Sequence, residues 1–207
     1  MRIIGITGGI GSGKTEILSY IGKKYNCKVI LADEVAHKVK EPGEDCYREL
    51  ITLLGTDILI DSELPEMMPP IDRIKMAEKI FANSELLYQV NKIVHPAVKA
   101  YILDEITNEK EKGTLDFLFI EAALLIEDGY ISIVDELWYI YAPEAVRRER
   151  LRQSRSYSDE KIDGIFGKQL SEEEYKRHCL VLIDNGKDRQ YAYEQIDKKL
   201  EEYLWQK

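Results

Sequence analysis

The residues best suited to chemistry stand near the start of the chain. Gly8-Gly9-Ile10-Gly11-Ser12-Gly13-Lys14-Thr15 has the spacing G-x-x-x-x-G-K-[ST]. Glycines at these places let successive backbone N–H groups turn inward and form a nest for anionic oxygens. A helix opening at Lys14 adds its positive end at the same point. The chemistry implied is the grip of a nucleoside triphosphate, read as ATP with Mg²⁺. Gly9, Ile10, Gly11, Ser12, Gly13, Lys14, Thr15 and Glu16 surround the phosphates. Lys14 reaches the β- and γ-phosphates, and the Thr15 hydroxyl ligates the metal. The alternative is a glycine-rich turn that matches by chance. Against it stand an apolar run just before the loop and a helical pattern just after.

Phosphoryl transfer to a hydroxyl gains from a carboxylate that orients the hydroxyl and accepts its proton. Asp33, directly after the second apolar run, is placed for this role; it is also able to cap a helix beginning at Glu34. Glu121 closes a later apolar run, where it suits either an acid holding a Mg²⁺-bound water or a cap for a following helix. Arg147, Arg148, Arg150, Arg152 and Arg155 form a basic run suited to a phosphorylated small molecule, and Arg148, Arg152 and Arg155 precede the polar break Ser156-Tyr157-Ser158. A lid arginine here neutralises charge on the transferring group and helps exclude water, with Arg152 the first choice and Arg155 the next. The alternative is a solvated helix face, given Glu144 and Glu149 alongside. Asn185-Gly186 is placed either to touch the adenine or to form an ordinary turn.

These residues need elements to hold them. Apolar runs rich in β-formers at 2–6, 28–31, 117–120, 136–141 and 180–183 alternate with helical patterns. Unbroken apolar runs separated by helices predict a five-stranded parallel sheet covered on both faces, a three-layer α/β fold of the P-loop NTPase type. Ligands then bind at the carboxyl ends of the strands. Helices are expected over 15–25 and 33–40, the second ending before Pro42-Gly43. Ser84 is expected to cap a helix from Glu85, Pro96 to open the next, and Ser171 with Glu174 to form a capping box. More than eighty residues separate the second and third runs, with Pro65, Pro69 and Pro70 marking a loop. A crossover needs far fewer, so the excess is read as a helical substrate-binding insertion. The expectation is one domain over 1–207, with 1–40 and 114–207 forming the nucleotide-binding core, a lid near 147–170 and the insertion at 41–113.

A GTPase switch would carry D-x-x-G and N-K-x-D. No aspartate has a glycine three residues on, and Asn91-Lys92-Ile93-Val94 lacks the final aspartate. Instead Gly5-Ile6-Thr7-Gly8-Gly9-Ile10-Gly11-Ser12-Gly13-Lys14 resembles the opening of dephospho-CoA kinases, which phosphorylate the ribose 3′-hydroxyl of dephospho-CoA with ATP. The likeness continues through Ala32-Asp33, Glu41-Pro42-Gly43, Leu54-Gly55, Asp72-Arg73, Ile80-Phe81-Ala82-Asn83 and His95-Pro96. It extends to Leu124-Leu125-Ile126-Glu127, Gln169 and Ile183-Asp184-Asn185. The resemblance implies the last step of CoA synthesis, with Thr7, Asp33, Arg73, His95 and Glu121 on the acceptor side and Asn185 on the nucleotide side. His95-Pro96 also reads as a helix start with a buried histidine. The chain departs from the family pattern at Thr15-Glu16, Leu31, Ala123 and Cys179-Leu180, and its arginine spacing needs a shift. A kinase acting on another small hydroxyl substrate and a non-catalytic ATP-binding module are the other readings.

The 207-residue chain, 44% hydrophobic and 32% charged, is an ordinary globular composition able to bury a core. A net charge of −9 argues against general nucleic-acid binding. Cys27, Cys46 and Cys179 lack metal-ligand spacing and read as small buried hydrophobes. The early first strand leaves no room for a signal peptide, and the longest apolar stretch is short and interrupted by Glu121, so a cytoplasmic monomer or small homo-oligomer is expected.

Overall fold

A computed structural model describes residues 1–61, 68–81, 83–122, 125–127 and 129–205. Pro65, Ala82, Ala123 and Leu124 lie outside the described residues. The chain divides into two compact units, Met1–Ile30 with Lys112–Lys207, and Leu31–Glu111.

The five apolar runs form β1 (Arg2–Thr7), β2 (Cys27–Leu31), β3 (Phe117–Glu121), β4 (Glu136–Tyr141) and β5 (Val181–Asp184), one sheet in the order β2-β3-β1-β4-β5. The β1–β3, β1–β4 and β4–β5 pairs are parallel. Phe117, Leu118, Phe119 and Ile120 of β3 are all buried, as are Ile3, Ile4 and Ile6 of β1 and Leu137 through Ile140 of β4. Strands buried on alternate residues in both directions are covered on both faces, which is the three-layer arrangement. β5, at the edge, begins one residue later than expected, after an exposed Leu180.

In this first unit the helices are α1 (Lys14–Lys24), α6 (Glu144–Arg155), α7 (Asp159–Phe166), α8 (Glu172–His178) and α9 (Arg189–Trp205). Helix α9 packs on β5 and α1, and α8 on β4. The capping box at Ser171 and Glu174 is present: Ser171 Oγ accepts from Glu174 N while Glu174 Oε2 accepts from Ser171 N. All three cysteines are free thiols, and burial pushes them up, to about 11 for Cys27 and Cys46 and about 12 for Cys179. They stay protonated and inert.

The second unit holds α2 (Ala32–Lys38), α3 (Asp45–Leu54), α4 (Arg73–Phe81) and α5 (Ser84–Lys112). The segment around the prolines is tied down by backbone bonds that the sequence does not signal. Leu59 bridges Ile71, Ile60 N donates to Pro70 O, and Asp72 N donates to Ile58 O. Tyr47 Oη donates to Pro69 O at 2.6 Å.

Two local expectations are corrected here. Pro96 does not open a helix but lies inside the 29-residue α5. Proline removes a backbone donor and crowds the preceding turn. The helix continues because Val90, Val94, Val98, Ile102 and Ile106 are buried at every fourth residue, a stripe that runs unbroken past the proline. The cap is Asn83 rather than Ser84: Asn83 Oδ1 accepts from Glu85 N at 3.0 Å and Leu86 N at 3.1 Å. Asn83→Ala should therefore cost about 1 kcal/mol of stability and Ser84→Ala only a few tenths of that. Thermal melts of the two variants check this, and equal losses would move the cap.

Candidate active site

β1 ends at Thr7 and β3 at Glu121, and the register sets Ile6 opposite Glu121 and Thr7 opposite Tyr139. The chain leaving β1 thus enters its glycine loop at the carboxyl edge of the central strand, beside Glu121. Gly13 is the N-cap of α1 with φ 91°, and Gly11 has φ 79°. Both angles lie where side-chain-bearing residues are strained. Space closes the matter: a Cβ on Gly13 would fall 2.3 Å from Asn185 Nδ2, and one on Gly11 would fall 2.9 Å from the Arg147 carbonyl oxygen.

The loop is held from outside. Asn185 Nδ2 donates to Ser12 O at 2.7 Å, and the residue is only 3% exposed. Its side-chain amide therefore braces the loop. Arg150 donates through Nη1 to Gly11 O at 3.4 Å and Ser12 O at 3.3 Å, and through Nη2 to Asn185 O at 2.8 Å. These side chains take up carbonyls of the loop from its outer side, while Ser12 N donates to Gly9 O at 3.1 Å. Ile10 N donates to Gln169 Oε1 at 3.2 Å. Lys14 Nζ donates to Gly8 O at 2.7 Å and lies 3.7 Å from Glu121 Oε1. Among the described residues, Ser12 Oγ has no hydrogen-bond partner although it is fully buried. An orphan hydroxyl costs about 1–3 kcal/mol, which an acceptor oxygen in the loop would offset. This donor set fits a polyphosphate.

Glu16, in the first turn of α1, is turned away from the loop by its partners. Arg189 Nε lies 2.6 Å from Glu16 Oε1, and Tyr193 Oη donates to the same oxygen at 3.4 Å. Tyr193 is itself stacked on Tyr20, with ring centroids 3.8 Å apart.

Helix α6 sorts its arginines by face. Arg148 meets Asp159 at 3.0 Å, Glu144 at 3.0 Å and Asp163 at 2.6 Å. Arg152 meets Asp159 at 2.6 Å and Glu149 at 3.8 Å. The Arg152 and Arg148 guanidinium groups hold Asp159 below the usual carboxylate range. Arg155 lies 5.9 Å from the Tyr157 ring. Arg147 and Arg150 turn the other way, toward the loop. Ser156, with φ 52°, ends the helix, and Ser158 caps α7.

In the second unit Asp33 is the second residue of α2, an exposed first-turn position. The helix starts at Ala32 after Leu31 and has no side-chain cap, so the capping role weighed for Asp33 is corrected. Arg73 opens α4, where Asp72 Oδ1 accepts from Ile74 N at 2.8 Å and acts as the cap. Arg73 lines a cleft of about 790 Å³ with His37, Lys40, Ile60, Ile74 and Phe81. Burial, then the charges of Arg73 and Lys40, push the His37 imidazole down. Lys40 is pushed down chiefly by burial. Glu41 lines the same cleft, so its polar rim carries both signs of charge. His95 lies half-buried inside α5, not at a helix start.

No group of three or more His, Cys, Asp or Glu able to hold a metal occurs among the described residues. Magnesium is commonly bound by one or two protein oxygens together with substrate phosphates and waters, which needs no such group. Nor is any helix among the described residues long and apolar enough to cross a membrane.

The sheet order and the loop at the end of the central strand define a P-loop kinase core. The chain matches the dephospho-CoA kinase family model over residues 2–190. It is 32% identical over 205 residues to the dephospho-CoA kinase of Carboxydothermus hydrogenoformans, covering 99% of this chain and 96% of the relative. It is 34% identical over 186 residues to that of Dehalococcoides mccartyi, covering 90% and 89%. The solved dephospho-CoA kinase of Campylobacter jejuni shares the fold, with a TM-score of 0.73 at 21% identity and 100% of both chains covered. The chain belongs to the dephospho-CoA kinase family.

Reading the sequence alone left Arg150, Arg189, His37 and Lys40 without roles, and Gln169 as a landmark only. These become visible only when distant segments meet.

Two outcomes follow. Lys14→Ala should lower ATP-dependent turnover at least about a hundredfold with the fold intact, as checked by steady-state kinetics and circular dichroism. Arg189→Ala should weaken ATP binding about two- to fivefold, more at low salt, because it frees the Glu16 carboxylate beside the phosphates. Glu16→Gln in the same background should restore affinity, as calorimetric titration would show.

Proposed function

We infer that this protein transfers the terminal phosphoryl group of ATP to the ribose 3′-hydroxyl of dephospho-CoA, giving ADP and CoA. The observation that carries this is the family match, which runs through the helical unit 31–111 as well as the core. A phosphate loop alone would leave the acceptor undefined; a match spanning both units does not. Thr15 and, through water, Glu121 are the residues suited to hold Mg²⁺, whose charge screens the phosphate oxygens.

The unit 31–111 is the acceptor side in this reading. The cations Lys40 and Arg73, with His37 beside them, suit the diphosphate of dephospho-CoA, and the apolar walls of their cleft suit its pantetheine arm. His95 and Thr7 belong with the acceptor residues by family resemblance. Asp33 comes two residues after β2, and among the described residues its carboxylate makes no hydrogen bond or ion pair. It takes the proton of the 3′-hydroxyl as that oxygen bonds to the γ-phosphorus and the bond to the ADP oxygen breaks. The reaction is placed in the cytoplasm, and cell fractionation tests that placement.

The decisive measurement is ATP consumption by the purified protein with and without dephospho-CoA. Consumption that requires dephospho-CoA supports the reading. A response only to another hydroxyl compound makes the chain a kinase of different substrate, and none at all makes it a nucleotide-binding module. Asp33→Asn refines the roles. Turnover should fall by roughly a hundredfold or more while ATP binding and the melting temperature hold, because the amide cannot take the proton. Wild-type turnover in that variant would remove Asp33 from the reaction.

A further inference from the structure

One oxygen on the loop is shared by two donors. Gln169 Oε1 accepts from Ile10 N at 3.2 Å and from Arg147 Nη1 at 3.4 Å. A backbone amide of the phosphate nest and a guanidinium therefore converge on the same acceptor point. A phosphate oxygen is a stronger acceptor than an amide carbonyl, and charge-assisted bonds to guanidinium are about twice as strong as neutral ones. We propose that Arg147 is the catalytic arginine of this kinase: it binds the terminal phosphoryl group of ATP and stabilises its charge during transfer. Gln169 is the positioning residue that keeps the Arg147 guanidinium and the Ile10 N–H aimed at one point. This rests on the reading of the chain as an ATP-dependent kinase.

Three observations support Arg147 over its neighbours on α6. Its charge is not already matched: among the described residues no carboxylate lies within ion-pair distance of it, whereas Arg148 meets three and Arg152 two. A guanidinium between carboxylates has little field left for a phosphate, and moving it would break those pairs. Arg150 is occupied by the carbonyls of Gly11, Ser12 and Asn185. Second, Arg147 is held in place. Its guanidinium lies 4.4 Å from the centre of the Phe166 ring, a cation–π contact closer than the 5.5 Å of Arg148 to the same ring. Third, the loop is shaped to admit it. A Cβ on Gly9 would fall 2.0 Å from Arg147 Nη1 and 3.0 Å from Gln169 Oε1, so only glycine leaves room for this approach. Preorganised charge of this kind is the form of stabilisation that costs no rearrangement at the moment of reaction.

The test separates a catalytic arginine from a structural brace. Arg147→Ala in the full-length protein should lower kcat about a hundred- to a thousandfold, the scale for removing one such donor. It should also weaken binding of a non-hydrolysable ATP analogue while leaving ADP binding within about twofold, because only the terminal phosphate is affected. Arg147→Lys should recover part of the loss, and Arg152→Ala should cost less than Arg147→Ala. Gln169→Ala should lower kcat more than it raises the KM for ATP. If Arg147→Ala turns over within about threefold of the parent while Lys14→Ala is inactive, the proposal fails and the phosphate-loop reading stands. Equal weakening of ADP and the ATP analogue, with a lowered melting temperature, makes Arg147 a brace and also overturns it. Full activity in Lys14→Ala as well would instead sink the kinase reading on which both rest.

Discussion

The carbonyls of the phosphate loop must point outward for its amides to point inward, and everything else in the first unit serves that condition. A backbone that turns four N–H groups toward one centre leaves carbonyl oxygens on its outer surface without helix or strand partners. Here they are taken by Asn185 and Arg150, which are themselves joined through the Asn185 carbonyl. Glycine is required at these points for the backbone angles and equally because the bracing side chains come so near. The loop is thus less a flexible strap than a fitted piece between β1, α6 and the end of β5.

Helix α6 supplies two services from two faces. Arg148 and Arg152 tie it to α7 through Asp159 and Asp163, exposed pairs whose separate contributions are small but which share acids. Arg147 and Arg150, one turn apart, are turned to the phosphate loop. Anchoring one face leaves the other with a defined orientation, which is what a preorganised site needs. The Glu16–Arg189 pair makes a comparable adjustment on α1, keeping an acid that would oppose ATP engaged elsewhere.

The sheet was legible because parallel strands buried on both faces need unbroken apolar runs, and little else in a sequence looks like that. All five strands lie within a residue or so of where those runs predict them, and Ser171-Glu174 is a local signal that gave a local result. Asn83 and Pro96 show the limit. Asn and Ser both cap well, so adjacent candidates are not distinguished by type. The helix-breaking tendency of Pro96 was overridden by a buried stripe that needs the tertiary fold to exist. In the site, the loop was plain because its chemistry is contiguous. Arg147 was named within a basic run but not singled out, because its partners Gln169 and Ile10 lie 22 and 137 positions away in the chain. A run of five arginines reads as one feature until the helix divides it by angle.

The braces of the phosphate loop have a further consequence, in time rather than space. The partners of Gly11, Ile10 and Ser12 stand 139, 159 and 173 residues later in the chain. At synthesis rates of about 5–20 residues per second, the loop waits roughly ten to thirty seconds after emerging before its last partner is made. The helical unit 31–111 is by then fully translated. The loop therefore gains its last brace only when the chain has been made as far as Asn185. The most recognisable motif of the protein is made early and braced late.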